Sequence, residues 1–246
     1  MTGEISIHLA PYVIGTLWGV PITNTLITSF VVVLLLGLFG FIAGRSLRYA
    51  PGKGQVMLES LITYPYDFAR ETLGNDALTK KVFPFLMTIF LFVLVANWFG
   101  LLPFVGALGV DDGHGHLTPL FYPINSDLNN TLALAILAVV AIQILGVSFL
   151  GALKYASKFI SFKSPLSFVI GIIELISEMA RIITFSFRLF GNIFAGKVLI
   201  LVLMAFVPLI LPVPLLAFEV FVGFIQAAIF ALLTLFFIKI AVEEPH

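Results

Sequence analysis

The chain has 246 residues, 60% hydrophobic and 11% charged, with a mean hydropathy of +1.13. Soluble domains carry about 25% charged residues, so this is the composition of a polytopic membrane protein, and the long uninterrupted apolar runs below are read as spanning helices. Thirteen basic and thirteen acidic residues cancel, which removes the electrostatic case for nucleic-acid binding, and the lack of cysteine excludes disulfides, thiolate catalysis and iron–sulfur ligation.

Taken in chain order, the first residues hold Glu4 and no basic stretch, so no cleavable signal peptide is expected. A spanning helix needs ~20 apolar residues. The first such run covers 25–44, followed by Arg45, Arg48 and Lys53. Residues 54–76 differ: Met57, Leu58, Leu61, Ile62, Tyr64, Phe68 and Leu73 alternate with Glu59, Asp67, Arg70 and Glu71. That pattern predicts an amphipathic segment lying on the cytoplasmic face, with Pro65 arguing against one straight helix. Lys80 and Lys81 precede a second crossing over 82–104, with Pro84 expected in its first turn. A third crossing covers 129–150, capped by Asp127, and Lys154, Lys158 and Lys163 follow it. The fourth and fifth cover 165–207 and 214–241, separated by Pro208, Pro212 and Pro214, with Lys239 near the end.

The fold class is therefore an all-α polytopic membrane protein, a single integral membrane domain over 1–246 with five crossings and one amphipathic segment. Loops 105–128 and 208–214 contain no Lys or Arg. With basic residues held inside, this places the N-terminus outside and the C-terminus in the cytoplasm. The fourth run is proline-free from Leu166 to Val207. Some 40 helical residues rise ~60 Å against a ~30 Å hydrocarbon core, so it must tilt steeply, bend, or break near Gly191 or Gly196. The fifth run is also long enough to tilt.

Arg188 sits inside this fourth run. A charge at bilayer depth costs at least ~2.5–3.5 kcal/mol on insertion scales, and its default reading is functional. Glu174, Glu178, Arg181 and Arg188 fall within roughly 80° of one helix face, with Asn192 one turn beyond. Glu174 and Glu178 are candidates for a cytoplasmic exit path, or are simply solvated or paired with Arg181. Lys197 points away from Arg188 on a straight helix. The fifth run carries Glu219 and Gln226 on one face, with Gly223 between them. If these two helices form a hairpin, Lys197 and Glu219 approach each other, as an ion pair or a hydrated proton-accepting site. Lys197 could instead snorkel to the outer interface, and Gln226, Asn97 and Asn192 could serve as interhelical hydrogen bonders. The four histidines, His8, His114, His116 and His246, lie outside the apolar runs. The segment Asp111-Asp112-Gly113-His114-Gly115-His116 has metal-ligand types but reads first as a solvated outer loop, so no metal and no cofactor is expected.

These residues together resemble subunit a of the F-type ATP synthase, the membrane stator beside the rotating c-ring. The resemblance covers nearly the whole chain: Pro51-Gly52-Lys53, Asn97 with Gly100-Leu101-Leu102-Pro103, and Asp127-Leu128-Asn129-Asn130-Thr131 with Glu174. Its core is Arg188-Leu189-Phe190-Gly191-Asn192 with Ala195-Gly196, and it ends with Gln226-Ala227, Phe230, Leu233-Thr234 and the tail Glu243-Glu244-Pro245-His246. The resemblance implies that Arg188 faces the ring carboxylate and that Asn192, Lys197, Glu219 and Gln226 line or approach a proton half-channel. Many bacterial members carry an acid where this chain has Lys197 and a histidine where it has Glu219. This exchange implies that the two positions are close in space and makes Glu219 the candidate proton carrier. Gly100 stands where some members carry an acid, so no role in the outer path is expected there. The implied partners are the c-ring subunits, the peripheral-stalk b subunits, membrane lipid and the rest of the synthase with its catalytic head. The implied location is an energy-coupling membrane, the bacterial inner membrane. The chain has no nucleotide-binding loop and would not be catalytic alone. A secondary transporter would call for internal repeats, and an intramembrane enzyme for a nucleophile–base pair or metal ligands inside the spans; the sequence offers neither.

Overall fold

The computed structural model describes residues 11–47, 52–111, 117–159, 165–206 and 212–243. His8, Arg48, His114, His116, Lys163, Pro208 and His246 lie outside the described residues. Two strands, β1 (Val13–Leu17) and β2 (Val20–Thr23), form an antiparallel hairpin. Its turn residues Trp18 and Gly19 have φ of 52° and 82°, the left-handed pair that a two-residue type I′ turn requires. The hairpin runs straight into α1 (Asn24–Arg45), and α2 (Lys53–Leu73) and α3 (Asp76–Phe99) follow. A second small hairpin pairs β3 (Gly109–Asp111) with β4 (Leu117–Pro119). Then come α4 (Leu128–Leu150), the short α5 (Ala152–Ala156), α6 (Pro165–Phe206) and α7 (Pro212–Val242).

Five of these helices, α1, α3, α4, α6 and α7, are long and apolar enough to cross a membrane. The all-α class therefore holds, with the two hairpins as additions. Large apolar side chains such as Phe30, Leu34, Ile176 and Phe221 are exposed along the helices. Such a surface belongs against lipid or a partner rather than water.

Two expectations are corrected by the structure, and a third is narrowed. The second crossing starts at Asp76 rather than 82 and ends at Phe99 rather than 104. Asn75 accepts a hydrogen bond from the Leu78 N–H at 3.1 Å, an N-cap, and the Asp76–Lys80 pair at 2.7 Å supports the first turn. Lys80 and Lys81 thus lie within the helix, and Pro84 sits in its third turn rather than its first. The helix stops short of Pro103 at Gly100, where an added Cβ would lie 3.0 Å from the Pro123 Cβ. Second, α2 is continuous through Pro65. Proline frees the Leu61 carbonyl, but Leu61 is exposed, so solvent or headgroups can satisfy it. Third, α6 passes unbroken through Gly191 and Gly196, which eliminates a break as the answer to its length of 42 residues.

The chain divides into two compact units. The first comprises Met1–Leu36, Leu91–Leu134 and Phe185–Ala228. Its apolar core joins Val32, Ala96, Phe99 and Ile124, flanked by Phe92, Val95 and Phe121. Phe99, Phe104 and Phe121 meet edge to face at 5.6–6.3 Å. Buried polar groups tie this unit together. Asp127 accepts from the Asn129 N–H at 2.9 Å, capping α4, and from the Thr25 hydroxyl at 2.9 Å. Thr28 accepts from the Tyr122 N–H at 3.1 Å, and Asn24 donates to the Pro119 carbonyl at 3.1 Å.

The second unit comprises Gly37–Phe90, Ala135–Thr184 and Ile229–His246. Its core joins Ala69, Leu78, Val82, Leu86, Ile142, Tyr155, Leu235, Ile238 and Ala241. Lys158 closes the end of α7, donating to the Ile240 and Ala241 carbonyls at 2.9 and 3.1 Å. The last carbonyls of a helix have no partner within it, so a cation there is favourable.

Candidate functional site

Arg188 lies in the first unit between buried neighbours. Phe185, Ser186 and Leu189 are fully or almost fully buried, and Ser186 shares a 3.1 Å hydroxyl contact with Thr131 of α4. These contacts fix the rotation of α6. Arg188 itself forms no hydrogen bond or ion pair with any described residue, and its Nη1 is buried without an acceptor. Gly191 and Ala195 follow at three and seven residues, on the same helix face. A Cβ added at Gly191 would meet nothing, and Ala195 is exposed, so this face is open.

Two more buried donors resemble Arg188 in this respect. Asn192 Nδ2 and Gln226 Nε2 are buried and lack acceptors. Asn192 is one turn beyond Arg188. The level of Gln226 follows from the helix register. Gly196 is ten residues before the end of α6 (206 − 196), Glu219 is seven after the start of α7 (219 − 212), and the Glu219 carboxylate packs directly on Gly196. A five-residue connection reaches at most about 20 Å, so the two helices run antiparallel. Eight residues back from Gly196 is Arg188, and seven on from Glu219 is Gln226. At ~1.5 Å per residue these steps are ~12 and ~10.5 Å, which brings the two side chains to one level.

Glu219 is 6% exposed, and Gly196 is what admits it, since a side chain there would occupy the volume of the carboxylate. Lys197 and Glu219 therefore come from adjoining positions, as the hairpin expectation required. They form no ion pair, however: their charged atoms do not approach within 4.0 Å. The Lys197 Nζ instead lies 3.3 Å from the centroid of the Tyr122 ring. Tyr12 meets that ring edge-on at 6.2 Å. Burial, and then Tyr12, pushes the Tyr122 phenol above its ordinary range, so it stays neutral beside the ammonium. A cation over a desolvated aromatic face is attracted by ~2 kcal/mol.

Helix α7 is held by α3. Asn97 donates to the Gly223 carbonyl at 3.1 Å, Trp98 donates to the Val220 carbonyl at 3.0 Å, and Asn125 donates to Asn97 Oδ1 at 2.6 Å. A Cβ at Gly223 would lie 3.2 Å from the Asn97 Cβ, so this glycine serves the α3 contact. The interhelical reading of Asn97 is thus the geometry found, although Gln226 and Asn192 make no such bonds among the described residues.

In the second unit, Glu178 pairs with Arg181 at 2.7 Å, and both side chains are largely buried. Arg181 stacks on the Phe237 ring at 3.6 Å. Glu174 has no bond to a described residue. Sequence reasoning did not identify Tyr122, Trp98, Gln143, Tyr155 or Phe237, each of which is brought in by tertiary contact and carries no local motif. Among the described residues no three His, Asp or Glu side chains converge as metal ligands do.

The chain matches the family described as ATP synthase A chain over residues 25–239. It is 30% identical over 233 residues to ATP synthase subunit a of Moorella thermoacetica, covering 94% of this chain and 96% of that one. It is 36% identical over 223 residues to the chloroplastic ATP synthase subunit a of Stigeoclonium helveticum, covering 91% and 86%.

Proposed function

The chain belongs to the ATP synthase A chain family, and on that premise we propose that it is the stator through which protons reach and leave a rotating ring of carboxylates. As a member it is an integral membrane component of the synthase, assembles with the rest of that complex, takes part in proton translocation and is not catalytic by itself. The finer reading concerns Arg188. A ring carboxylate must be neutral while it faces lipid, because an isolated charge in a low-dielectric medium is prohibitive. It must ionise briefly at the stator, and a fixed positive charge favours that form. Arginine stays protonated under burial, so Arg188 acts as a barrier and counter-charge and not as a carrier.

The observation that carries this reading is the buried, unpartnered Nη1 of Arg188 beside an open glycine–alanine face. Among the described residues none supplies a carboxylate to Arg188, and a c-ring subunit docked on that face would. Asn192 and Gln226 add donor nitrogens without acceptors, which suits water or a passing carboxylate. In this reading Glu219 takes protons from the outer side, with Lys197 held away on Tyr122, and Glu174 and Glu178 serve the cytoplasmic exit. The two paths are offset half-channels. The N-terminus lies outside and the C-terminus in the cytoplasm, the membrane is the bacterial inner membrane, and the peripheral-stalk b subunits hold the stator against torque. Translocating one charge through ~100 mV supplies ~2.3 kcal/mol, which becomes rotation only if a direct leak is blocked. The test is ATP-driven proton uptake in inverted vesicles carrying Arg188→Ala, with assembly verified. Loss of uptake in an intact complex is expected. Uptake at the normal rate would make Arg188 structural and reopen the transporter reading.

A further inference from the structure

The tip of the β1–β2 hairpin breaks two local rules at once. Trp18 has a φ of 52°, in the left-handed region, and its side chain is 98% exposed. The first central position of such a turn favours asparagine, aspartate or glycine, and a bulky residue with positive φ is strained. The fold gains almost nothing in return, since a side chain so exposed has little to pack on within the chain. Strain kept without an internal contact points to a contact outside. The neighbours of Trp18 extend the same surface. Leu17 and Val20 are cross-strand partners, so they share one face, and both are exposed. The base of the hairpin, by contrast, is fastened. The Asn24 N–H donates to the Tyr12 carbonyl at 3.0 Å, Asn24 Nδ2 donates to the Pro119 carbonyl, and Tyr12 meets Tyr122 edge to face. A two-stranded hairpin is marginal by itself in water, so its apolar tip needs a surface.

The position of the hairpin selects that surface. It runs straight into α1, whose 22 residues rise ~33 Å and so just cross a ~30 Å hydrocarbon core. Asn24 therefore marks one boundary of the core and Arg45 the other. No Asp, Glu, Lys, Arg or His occurs from Pro11 to Gly44, so the uncharged surface of the crossing continues without a gap into the hairpin. On α1 itself the exposed side begins with Leu26 and Phe30, within two turns of the hairpin. Trp18 is six residues from Asn24 (24 − 18), a reach of at most ~20 Å, so a hairpin leaning along the membrane surface holds its tip in the headgroup layer. Its depth is bounded from the other side too. The outer edges of two paired strands carry N–H and C=O groups that hydrocarbon cannot satisfy and hydrated headgroups can. Tryptophan is enriched at that level, with an apolar body and one N–H donor.

We propose that the β1–β2 hairpin is an interfacial anchor, with Trp18, Leu17 and Val20 seated among the lipid headgroups at the end of α1 opposite Arg45. The occupant of this face is the bilayer and not another protein chain. The anchor fixes the depth of α1, the least buried of the five crossings and so the one that the rest of the chain holds least.

The test uses the full chain in phosphatidylcholine vesicles and, in parallel, the assembled synthase in the same lipid. Trp18 emission is taken as wild type minus Trp18→Phe, so that Trp98 and the tryptophans of other subunits cancel. Lipids brominated near the headgroup end of their acyl chains should quench it at least about twofold more than lipids brominated near the bilayer centre. Aqueous iodide should quench it several-fold less than it quenches free tryptophan. Full iodide quenching with no effect of brominated lipid would overturn the proposal and leave the tip in water. Bromine quenching in the chain alone that is lost in the synthase would also overturn it, and assign the face to a partner subunit. So would protection from iodide that falls as the chain is diluted in lipid, the sign of a second copy. Trp18→Asn separates anchoring from turn strain, and decides alone if Trp18→Phe does not fold. Hydrogen exchange at residues 13–23 in vesicles should speed up several-fold in Trp18→Asn, because the anchor is lost. A role confined to the turn predicts slower exchange, because asparagine suits the left-handed position better. Slower or unchanged exchange would therefore overturn the anchor.

Discussion

Replacing Asn97 by alanine tests how α7 is held in place. Asn97 gives one hydrogen bond to the Gly223 carbonyl at 3.1 Å and accepts one from Asn125 at 2.6 Å. Asn125 is 2% exposed, so removing its acceptor leaves a buried donor unpaired. The first loss costs ~1 kcal/mol, and the second ~1–3 kcal/mol because the orphaned group has already given up its water. The sum of ~2–4 kcal/mol corresponds to a fall of roughly 4–16 °C in the unfolding midpoint, at ~2–4 °C per kcal/mol for a chain of this size. The Asn97→Ala/Asn125→Ala double variant removes both partners, so the orphan penalty vanishes and about half of the loss should return. The assay is thermal unfolding of the purified chain in detergent, as a double-mutant cycle. A double variant no more stable than the sum of its singles would refute the claim that the Asn97–Asn125 bond is a coupled, buried contact. In vesicles, Asn97→Ala should also slow proton uptake, because Glu219 and Gln226 flank the clamped turn of α7.

Three further outcomes follow from particular contacts. Gly196→Ala should lower stability and uptake together, since its methyl claims the space of the Glu219 carboxylate, whereas Gly191→Ala should leave the isolated chain's midpoint unchanged and impair only the assembled complex; equal effects of the two on the isolated chain would contradict the open face. Tyr155 has its pKa raised to about 12, first by burial and then by Glu178. A raised folded pKa contributes stability that is whole below the unfolded value of ~10 and is lost as pH climbs from there through about 12, so Tyr155→Phe should flatten alkaline unfolding across that window, and an unaltered slope would count against the buried phenol. Lys158→Met removes two bonds from an ammonium to the α7 terminus, worth ~1.5–3 kcal/mol each at most when charged groups are involved, and hydrogen exchange should accelerate at 238–242 while α4 stays protected; uniform protection would show that the cap is dispensable.

The sequence alone determined what depends on local composition and period. Uninterrupted apolar runs can only be spanning helices, because lipid offers no partner for free backbone groups, and the four runs bounded by proline, glycine or a capping acid were located within a few residues. The second was displaced, since Lys80 and Lys81 read as a flank while Asn75 and Asp76 in fact start the helix ahead of them. Arg188, Asn192, Glu219 and Gln226 stood out because polar groups inside apolar helices are costly. Tertiary structure decided what those groups touch. Lys197 and Glu219 are neighbours by chain register, yet the ammonium rests on Tyr122, 75 positions away in sequence (197 − 122), because an aromatic face and a carboxylate compete for the same cation. Asn97 reaches Gly223, Thr131 reaches Ser186 and Arg181 reaches Phe237 only after helices pack. The meeting of Glu178 and Arg181 with Gln143, Tyr155 and Phe237 likewise depends on four elements packing at one point, and the period of a single helix contains no information about its neighbours.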